Sequence, residues 1–361
     1  MSGQKNFSNR GRIRYAIDSQ IVASDRTSHP HLNPLPEGEE EEGSSAAEGQ
    51  RQLQLDCVAI WLSVLSAMRA WRIFVPILLI CSTAIAVETR LPFETVFKGE
   101  GQFNRLVSLA KENNWKSLPI GDRTVAVGQA LTGTRYKSYT LEIDNRIESP
   151  SVNFNGLDCW TFFEVSLAFA RMLNEPEANW TPENFLHYIE VDRYRGGVCT
   201  GEYLSRLHYL EDWLYDNDKR GLVEDLTTKL GGKSVPHAAH EMTVAWRHYR
   251  YLAANKSLLG PLARMEADVS RRPFYQIPKN RVAKIEPKLQ SGDIIGIVSH
   301  DGRLYSTSHV GLALRTSDGV LHFLHASAPH NYGKVVVDSR LSDYLNKYRS
   351  DSGILVARPL R

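Results

Sequence analysis

The segment 158–173 constrains the fold of this chain most strongly. It reads Asp-Cys-Trp-Thr-Phe-Phe-Glu-Val-Ser-Leu-Ala-Phe-Ala-Arg-Met-Leu, which is apolar on nearly every side of a helix. A helix without a polar face must be surrounded by other elements, so we expect it to be buried. Asp158 suits the N-cap position, which places Cys159 in the first helical turn. The sequence therefore predicts a buried helix that begins with a cysteine.

The chain changes character after Pro287. Before this point, helical spacing predominates at 103–110, about 202–215 and 238–252, with weaker strand-like alternation at 124–130 and 136–143. After it, alternation predicts short strands at 293–298, 309–315, 320–325 and 334–338, separated by turn sequences such as Asp301-Gly302. Helices followed by a hairpin-linked antiparallel sheet are typical of an α+β fold.

Composition and charge give no reason to expect a nucleic-acid partner. Charged residues are 23% of the chain and the formal net charge is +2, without any Lys/Arg-rich block. The hydrophobic content of 42% is that of an ordinary globular protein.

The N-terminal region predicts export. Residues 1–67 are mostly polar and irregular up to about 55, and we interpret them as a disordered extension. On the signal-peptide interpretation that follows, the true start of the protein is Met68, after this extension. Residues 68–86 resemble a signal peptide, with a short basic segment, an apolar core and Ala84-Ile85-Ala86 as a cleavage site. A membrane anchor is the alternative, and beyond it we expect no membrane contact. Both interpretations export residues 87–361.

Cys159 has the position expected of a nucleophile. Unpaired backbone N–H groups and the helix dipole at a helix start favour a thiolate, so we expect a lowered thiol pKa and donors for an oxyanion. Such a cysteine still needs a base and a group that orients this base. The alternative is a buried cysteine that only fills space.

Histidines of the second half supply candidate bases. His309 begins a predicted strand, and it shares one strand face with Gly311 and Ala313, whose small size would let the cysteine helix pack close. His322 and His325 point to opposite faces of the next strand, so they cannot jointly bind one metal. One of the two could support His309, and periodicity leaves open which.

Five segments together resemble the N-acetylmuramoyl-L-alanine amidase-like family, within the NlpC-type, papain-like cysteine peptidase superfamily of cell-wall hydrolases. The resemblance extends from about residue 90 to the C-terminus, and the motifs come in the family's order. They are Gly156-Leu157-Asp158-Cys159-Trp160-Thr161-Phe162-Phe163-Glu164, Ser205-Arg206-Leu207-His208-Tyr209, Gly292-Asp293-Ile294-Ile295, Ser308-His309-Val310-Gly311 and Leu324-His325-Ala326-Ser327.

This resemblance implies that 87–361 is a catalytic domain of the bacterial periplasm or cell envelope. The implied fold is papain-like and NlpC-type, with the helix of Cys159 packed on an antiparallel sheet or half-barrel. It also implies that Cys159 is the nucleophile, that His309 is the general base and acid, and that His325 rather than His322 orients His309. The implied substrate is peptidoglycan or a muropeptide, cut between N-acetylmuramic acid and L-alanine without a cofactor. Alternatives are cleavage between D-glutamate and the diamino acid of the stem peptide, acyl transfer to an acceptor other than water, and a non-catalytic wall-binding module.

Substrate-binding residues are less well defined. Arg206 could bind a substrate carboxylate and Tyr203 could contact substrate, although either residue could be structural. Asp158 and Ser308, which directly precede the cysteine and the histidine, are further candidates.

We expect no metal site, because His237, His240 and Glu241 do not form the His-Glu-x-x-His pattern. Cys199 is expected to be a buried thiol.

Overall fold

The computed structural model describes residues 91–299 and 307–360. The predicted extension at 1–67, the predicted signal peptide or anchor at 68–86 and the predicted turn at Asp301-Gly302 lie outside these residues. Within the described part of the chain, no helix combines the length and apolar character that crossing a membrane requires.

Helices precede most of the strands, as predicted. They are α1 (Phe93–Val96), α2 (Glu100–Glu112), α3 (Ile120–Ala130), α4 (Cys159–Met172), α5 (Pro182–Arg193), α6 (Leu210–Lys219), α7 (Glu241–Val244), α8 (Arg250–Ala254), α9 (Leu259–Ser270), α10 (Lys279–Ile285) and α11 (Leu341–Asn346). Short 3-10 turns, among them Tyr203–Ser205, join several of them.

The strands form two sheets. They are β1 (Phe97–Lys98), β2 (Val152–Asn153), β3 (Val223–Asp225), β4 (Lys233–Ser234), β5 (Tyr275–Pro278), β6 (Ile294–Ser299), β7 (Thr307–Arg315), β8 (Leu321–Ser327), β9 (Lys334–Arg340) and β10 (Asp351–Pro359). β1 and β2 form a parallel pair. The larger sheet is antiparallel with the order β4-β5-β10-β6-β7-β8-β9, and β3 also pairs with β10. The α+β class predicted from the sequence is thus confirmed.

The sheet is covered on both faces. Helices α3 and α4 pack on one face, where Leu312 and Leu324 meet Phe162. Helices α10 and α11 cover the other face, where Phe323 and Tyr344 belong to a second core. Helix α4 is buried along its whole length, as its apolar sequence predicted.

A third core forms beside this layered body. It combines residues that follow α5 with residues of helices α7 to α9: Tyr203, Tyr209, Ala239, Met242, Tyr251, Leu252, Leu262 and Val269. Tyr203 stacks on Tyr251 with 4.4 Å between ring centroids. This core supplies one wall of the pocket described below.

Two of the strand predictions were wrong. Residues 124–130 belong to α3. The fully buried residues Thr124, Val127 and Leu131 have the spacing of one helix face, and over so short a segment this spacing was mistaken for strand alternation. Residues 136–143 form no strand. Tyr136 makes one isolated bridge to Leu157, and Tyr139 has a left-handed backbone with φ of 58°.

Two of the helix predictions also need correction. The predicted helix at 202–215 is interrupted, because Arg206 has an extended backbone and pairs with Tyr194 before α6 begins at Leu210. The predicted helix at 238–252 consists of the short helices α7 and α8 with a 3-10 turn between them.

Candidate active site

Cys159 is the first residue of α4, as predicted, and the start of this helix is capped. The Asp158 carboxylate accepts a hydrogen bond from the Thr161 N–H at 2.7 Å, and the Thr161 hydroxyl accepts one from the Asp158 N–H at 3.0 Å. This reciprocal capping holds the first turn in one geometry. Asp158, a candidate substrate-binding residue, therefore has a structural partner at the helix start.

The predicted lowering of the Cys159 pKa is wrong. The residue is only 5% exposed. Burial, and next the nearby Asp158 carboxylate, raise the pKa of the thiol to about 12. Hydrogen bonds from the backbone N–H groups of Val310 and Trp160 to the sulfur act in the opposite direction but do not outweigh burial. The resting residue is therefore a neutral thiol that needs a base.

His309 reaches the same pocket in an unexpected way. Helix α4 packs on the strand face that carries Val310 and Leu312, and not on the face of Gly311 and Ala313 as predicted. The register of β6 and β7 shifts beside His309, which marks a β-bulge. Because a bulge breaks the alternation of side chains, it can direct a histidine from the opposite face to the edge of the sheet.

His309 begins a chain of polar contacts that runs away from the cysteine. Its Nε2 lies 2.7 Å from Nδ1 of His325, and the two rings are nearly perpendicular, at 88°. Nε2 of His325 lies 3.4 Å from Oδ2 of Asp338. The Lys347 ammonium donates to Oδ1 of Asp338 at 2.6 Å. Of the two histidines that periodicity left open, the structure thus places His325 in contact with His309.

Both histidines favour the neutral form. Burial, followed by the charge of His325, holds the pKa of His309 well below 6.5. Burial also lowers the pKa of His325, against the opposing effect of Asp338. The pKa of Asp338 is lowered by hydrogen bonds from His325 and Lys347, although partial burial acts against them. At neutral pH Asp338 is therefore a carboxylate, and His309 and His325 are neutral imidazoles.

A pocket with an empty volume of ≈ 950 Å³, which includes open solvent, lies over the cysteine. Aromatic and apolar side chains predominate in its lining. The lining residues are Tyr136, Tyr139, Leu141, Glu142, Asp158, Cys159, Trp160, Tyr203, Arg206, Leu207, His208, Tyr209, Leu210, Glu241, Met242, Tyr249, Thr307, His309 and Val310. The structure thus brings Cys159 and His309 into one concave site of the kind that binds small molecules.

Tyr203 and Arg206 line this pocket, but both are buried and have internal partners. The Tyr203 hydroxyl donates to Glu142 at 2.5 Å. Nε of Arg206 lies 3.2 Å from Glu148, and the guanidinium stacks over the Tyr203 ring. Nη2 of Arg206 is buried without a hydrogen-bond partner among the described residues. Nε also makes no hydrogen bond, although it lies within ion-pair distance of Glu148, so two donor nitrogens of this arginine are not satisfied by the described residues.

The remaining candidates lie elsewhere. Ser308 is buried, and its hydroxyl donates to the Ile297 carbonyl at 3.4 Å instead of lining the pocket. His322 bonds the backbone carbonyl of Asp338 through Nδ1 at 2.8 Å. Cys159 and Cys199 are both buried free thiols. Across residues 91–299 and 307–360, no group of three or more His, Cys, Asp or Glu side chains could hold a metal ion.

The sequence reasoning missed Asp338. It ends the predicted strand 334–338 and lies two residues beyond Val336, the partner of His325, so it shares the face of His325. A carboxylate on the neighbouring strand is a signal that the sequence carries. However, the register of β8 and β9 shifts between His322 and Leu324, and no sequence pattern marks this shift.

Fold and site together define a class: an α+β protein that brings a buried cysteine and a histidine to one pocket, with a second, buried histidine bonded to the first. Residues 126–354 match the model of the N-acetylmuramoyl-L-alanine amidase-like family, and the chain belongs to this family. Among curated proteins, no sequence matches the chain.

Several solved structures are similar to this chain. An N-acetylmuramoyl-L-alanine amidase from Bacteroides uniformis is 26% identical, with a TM-score of 0.60 and coverage of 67% of this chain and 99% of that chain. A Bacteroides fragilis protein, whose suggested activity is that of a xylanase, is 32% identical over 64% of this chain and 98% of its own, with a TM-score of 0.57. A Legionella pneumophila protein at 22% identity, a TM-score of 0.55 and coverage of 73% and 95% shares the fold.

Proposed function

We propose that this protein is a cell-wall amidase that cuts the amide between N-acetylmuramic acid and L-alanine in peptidoglycan or muropeptides, with Cys159 as the nucleophile. The observation that carries the proposal is the shared pocket of Cys159 and His309, with His309 bonded to His325, in a member of the amidase-like family. We extend the proposal to a papain-like NlpC-type fold and to an exported protein of the bacterial periplasm or envelope.

The proposed reaction begins from neutral partners. Since His325 occupies Nε2 of His309, the remaining ring nitrogen, Nδ1, takes the thiol proton. As this proton leaves, the Cys159 sulfur attacks the lactyl carbonyl carbon. Backbone N–H groups at the start of α4 then stabilise the negative charge that develops on the carbonyl oxygen.

Collapse of the tetrahedral intermediate breaks the C–N bond. The His309 imidazolium gives its proton to the departing amine of L-alanine, and a thioester on Cys159 remains. Neutral His309 next removes a proton from water, the resulting hydroxide attacks the thioester, and the returning proton restores the thiol. No cofactor takes part in this scheme.

Arg206 is the proposed contact for a substrate carboxylate. Arg206 lines the pocket, and its buried Nη2 has no hydrogen-bond partner among the described residues, so a carboxylate towards which the guanidinium turns would accept from this nitrogen. Burial of this donor without a partner costs free energy, and a bound carboxylate would recover it. Tyr203 then supports the guanidinium through its stacked ring. Asp158 would support the cysteine by fixing the helix start.

Product analysis by mass spectrometry tests the proposal. The full chain is incubated with defined muropeptides beside Cys159→Ala, and Cys199→Ala serves as the matched control because Cys199 is also a buried free thiol. We expect free sugar and an L-alanine-terminated peptide from the wild type and from Cys199→Ala, but not from Cys159→Ala. Cleavage after D-glutamate would keep the mechanism and reject the specificity. Absence of both cuts, in soluble fragments and in sacculi, would reject the hydrolase.

A further inference from the structure

We infer that Asp338 is a positioning residue that fixes the tautomer of His325 and thereby leaves Nδ1 of His309 without a proton, ready to act as the base. This inference rests on the proposed function, because it concerns the same cysteine and histidine. It adds a residue to the site and gives each nitrogen of the array a defined hydrogen-bonding role.

The proton arrangement follows from what each atom can donate or accept. An ionised carboxylate only accepts, so Nε2 of His325, 3.4 Å from Asp338 Oδ2, carries its proton there. Nδ1 of a neutral His325 is then an acceptor. Since it lies 2.7 Å from Nε2 of His309, that Nε2 must carry the proton of the contact. The Nδ1 of a neutral His309 is consequently bare.

The other carboxylate oxygen is held by two donors. The Lys347 ammonium and the Ser339 N–H both donate to Asp338 Oδ1 at 2.6 Å. The backbone of Asp338 is held as well, because Nδ1 of His322 donates to its carbonyl oxygen. The two carboxylate oxygens thus have different surroundings: Oδ1 accepts from Lys347 and Ser339, and Oδ2 faces His325.

This asymmetry gives an isosteric substitution an unusual consequence. In Asp338→Asn the two donors at Oδ1 require the amide oxygen there, which turns the NH₂ group towards His325. Nε2 of His325 must then accept, and its proton moves to Nδ1. That proton is donated to His309 Nε2, so the proton of His309 moves to Nδ1, where it blocks the base. Asp338→Ala removes the carboxylate but enforces no wrong tautomer.

The test compares Asp338→Asn with Asp338→Ala in the full chain. We expect kcat to fall by roughly 10² to 10⁴-fold in the Asn variant, the share that general-base catalysis supplies, with KM unchanged. The Ala variant should lose less activity. A purely structural role predicts the reverse order, since the isosteric side chain preserves packing better. Asp343→Asn, on the exposed side of the adjacent α11, is the matched control and should behave as the wild type.

Two readouts need no muropeptide, so they separate this inference from the proposed function. Alkylation of Cys159 by iodoacetamide should be about tenfold or more slower in Asp338→Asn than in Asp338→Ala, because a protonated Nδ1 of His309 cannot take the thiol proton as general base. ¹⁵N NMR should find the proton of His309 on Nε2 in the wild type and on Nδ1 in Asp338→Asn. If the alkylation order holds while no muropeptide is cleaved, the inference stands and the amidase proposal fails.

Two results would overturn the inference. A wild-type His309 that carries its proton on Nδ1 overturns it, and this measurement does not depend on any variant folding. The second result needs Asp338→Asn and Asp338→Ala to melt like the wild type. If the Asn variant is then the more active or the faster alkylated of the two, the inference is also overturned.

Discussion

At the scale of single residues, the unusual property of this site is a buried and neutral nucleophile. A cysteine at a helix start is normally expected to be acidic. Here burial and the Asp158 carboxylate outweigh the backbone N–H groups and raise the pKa of Cys159 to about 12. The pKa of His309 is shifted in the opposite sense, well below 6.5. Both shifts disfavour a thiolate–imidazolium pair in the resting protein.

The pH dependence of the Cys159 thiolate population tests this description. With a thiol pKa of about 12, the thiolate fraction is small throughout the accessible range and grows about tenfold for each pH unit. We therefore expect no detectable thiolate at residue 159 from pH 6 to pH 9. The ultraviolet absorbance of the thiolate measures it, and subtracting the spectrum of Cys159→Ala removes the signal of tyrosines and other cysteines. A full thiolate absorbance at pH 6 would indicate a preformed ion pair and contradict the account.

At the scale of elements, strand pairing places the histidines and helix capping places the cysteine. The capped start of α4 could be predicted from Asp158 and the apolar residues after it, because capping is a local property of sequence. The contact between β7 and β8 was harder to predict from the sequence. It depends on Gly311, whose neighbours on the adjacent strand are the Leu324 carbonyl and the Cβ atom of His325.

Gly311→Ala should separate the two histidines. A Cβ atom at this position would lie 2.7 Å from the Leu324 carbonyl oxygen and 2.8 Å from His325 Cβ, so the strands must move apart. We expect a loss of about 1–3 kcal/mol in the free energy of unfolding, as for other overpacked sites. Activity should fall further than stability explains, because the contact between His309 and His325 is stretched. Denaturant unfolding and muropeptide assays measure the two effects.

Gly101→Ala is the control for this substitution. Gly101 lies in α2 with open space around it, so alanine should stabilise the protein by about 0.5–1 kcal/mol and leave activity unchanged. If Gly311→Ala behaves like Gly101→Ala, the close approach of β7 and β8 is not needed for the site.

A buried ion pair between α4 and α5 gives a second prediction at this scale. Nε of Arg193 donates to Glu164 at 2.7 Å, and both side chains are at most 1% exposed. Removing only the cation by Arg193→Met leaves a buried carboxylate, so we expect a loss of about 3–5 kcal/mol in the free energy of unfolding. The double variant Glu164→Leu with Arg193→Met should recover most of this loss. A double variant as unstable as the single one would contradict the argument.

At the scale of the whole molecule, the sequence predicted what depends on local pattern and missed what depends on long-range pairing. The buried helix, four strands of the second half and the α+β class follow from periodicity. The strand β10 was missed, although it pairs with β3, β5 and β6. Its run of buried residues 353–357 is short and apolar, and periodicity alone does not distinguish such a run from a buried helical segment.

The candidate site shows the same division. Cys159 was identified from its helix, and His309 and His325 from motifs in a fixed order. Asp338 depends on the strand register, which no residue pattern in β8 or β9 reveals. The direction of the thiol pKa was missed because burial at one atom is set by the whole fold.

The central claim, that Cys159 attacks the lactyl carbonyl next to L-alanine, is tested most directly by trapping the acyl-enzyme. The full chain is mixed with a muropeptide, quenched in acid within one turnover and digested, and the peptide that contains residue 159 is weighed. The account predicts a thioester on Cys159 with the mass of the muramoyl group, absent from Cys159→Ala. An adduct with the mass of the muramoyl-L-alanyl-D-glutamyl portion, or product formation by Cys159→Ala, would contradict it.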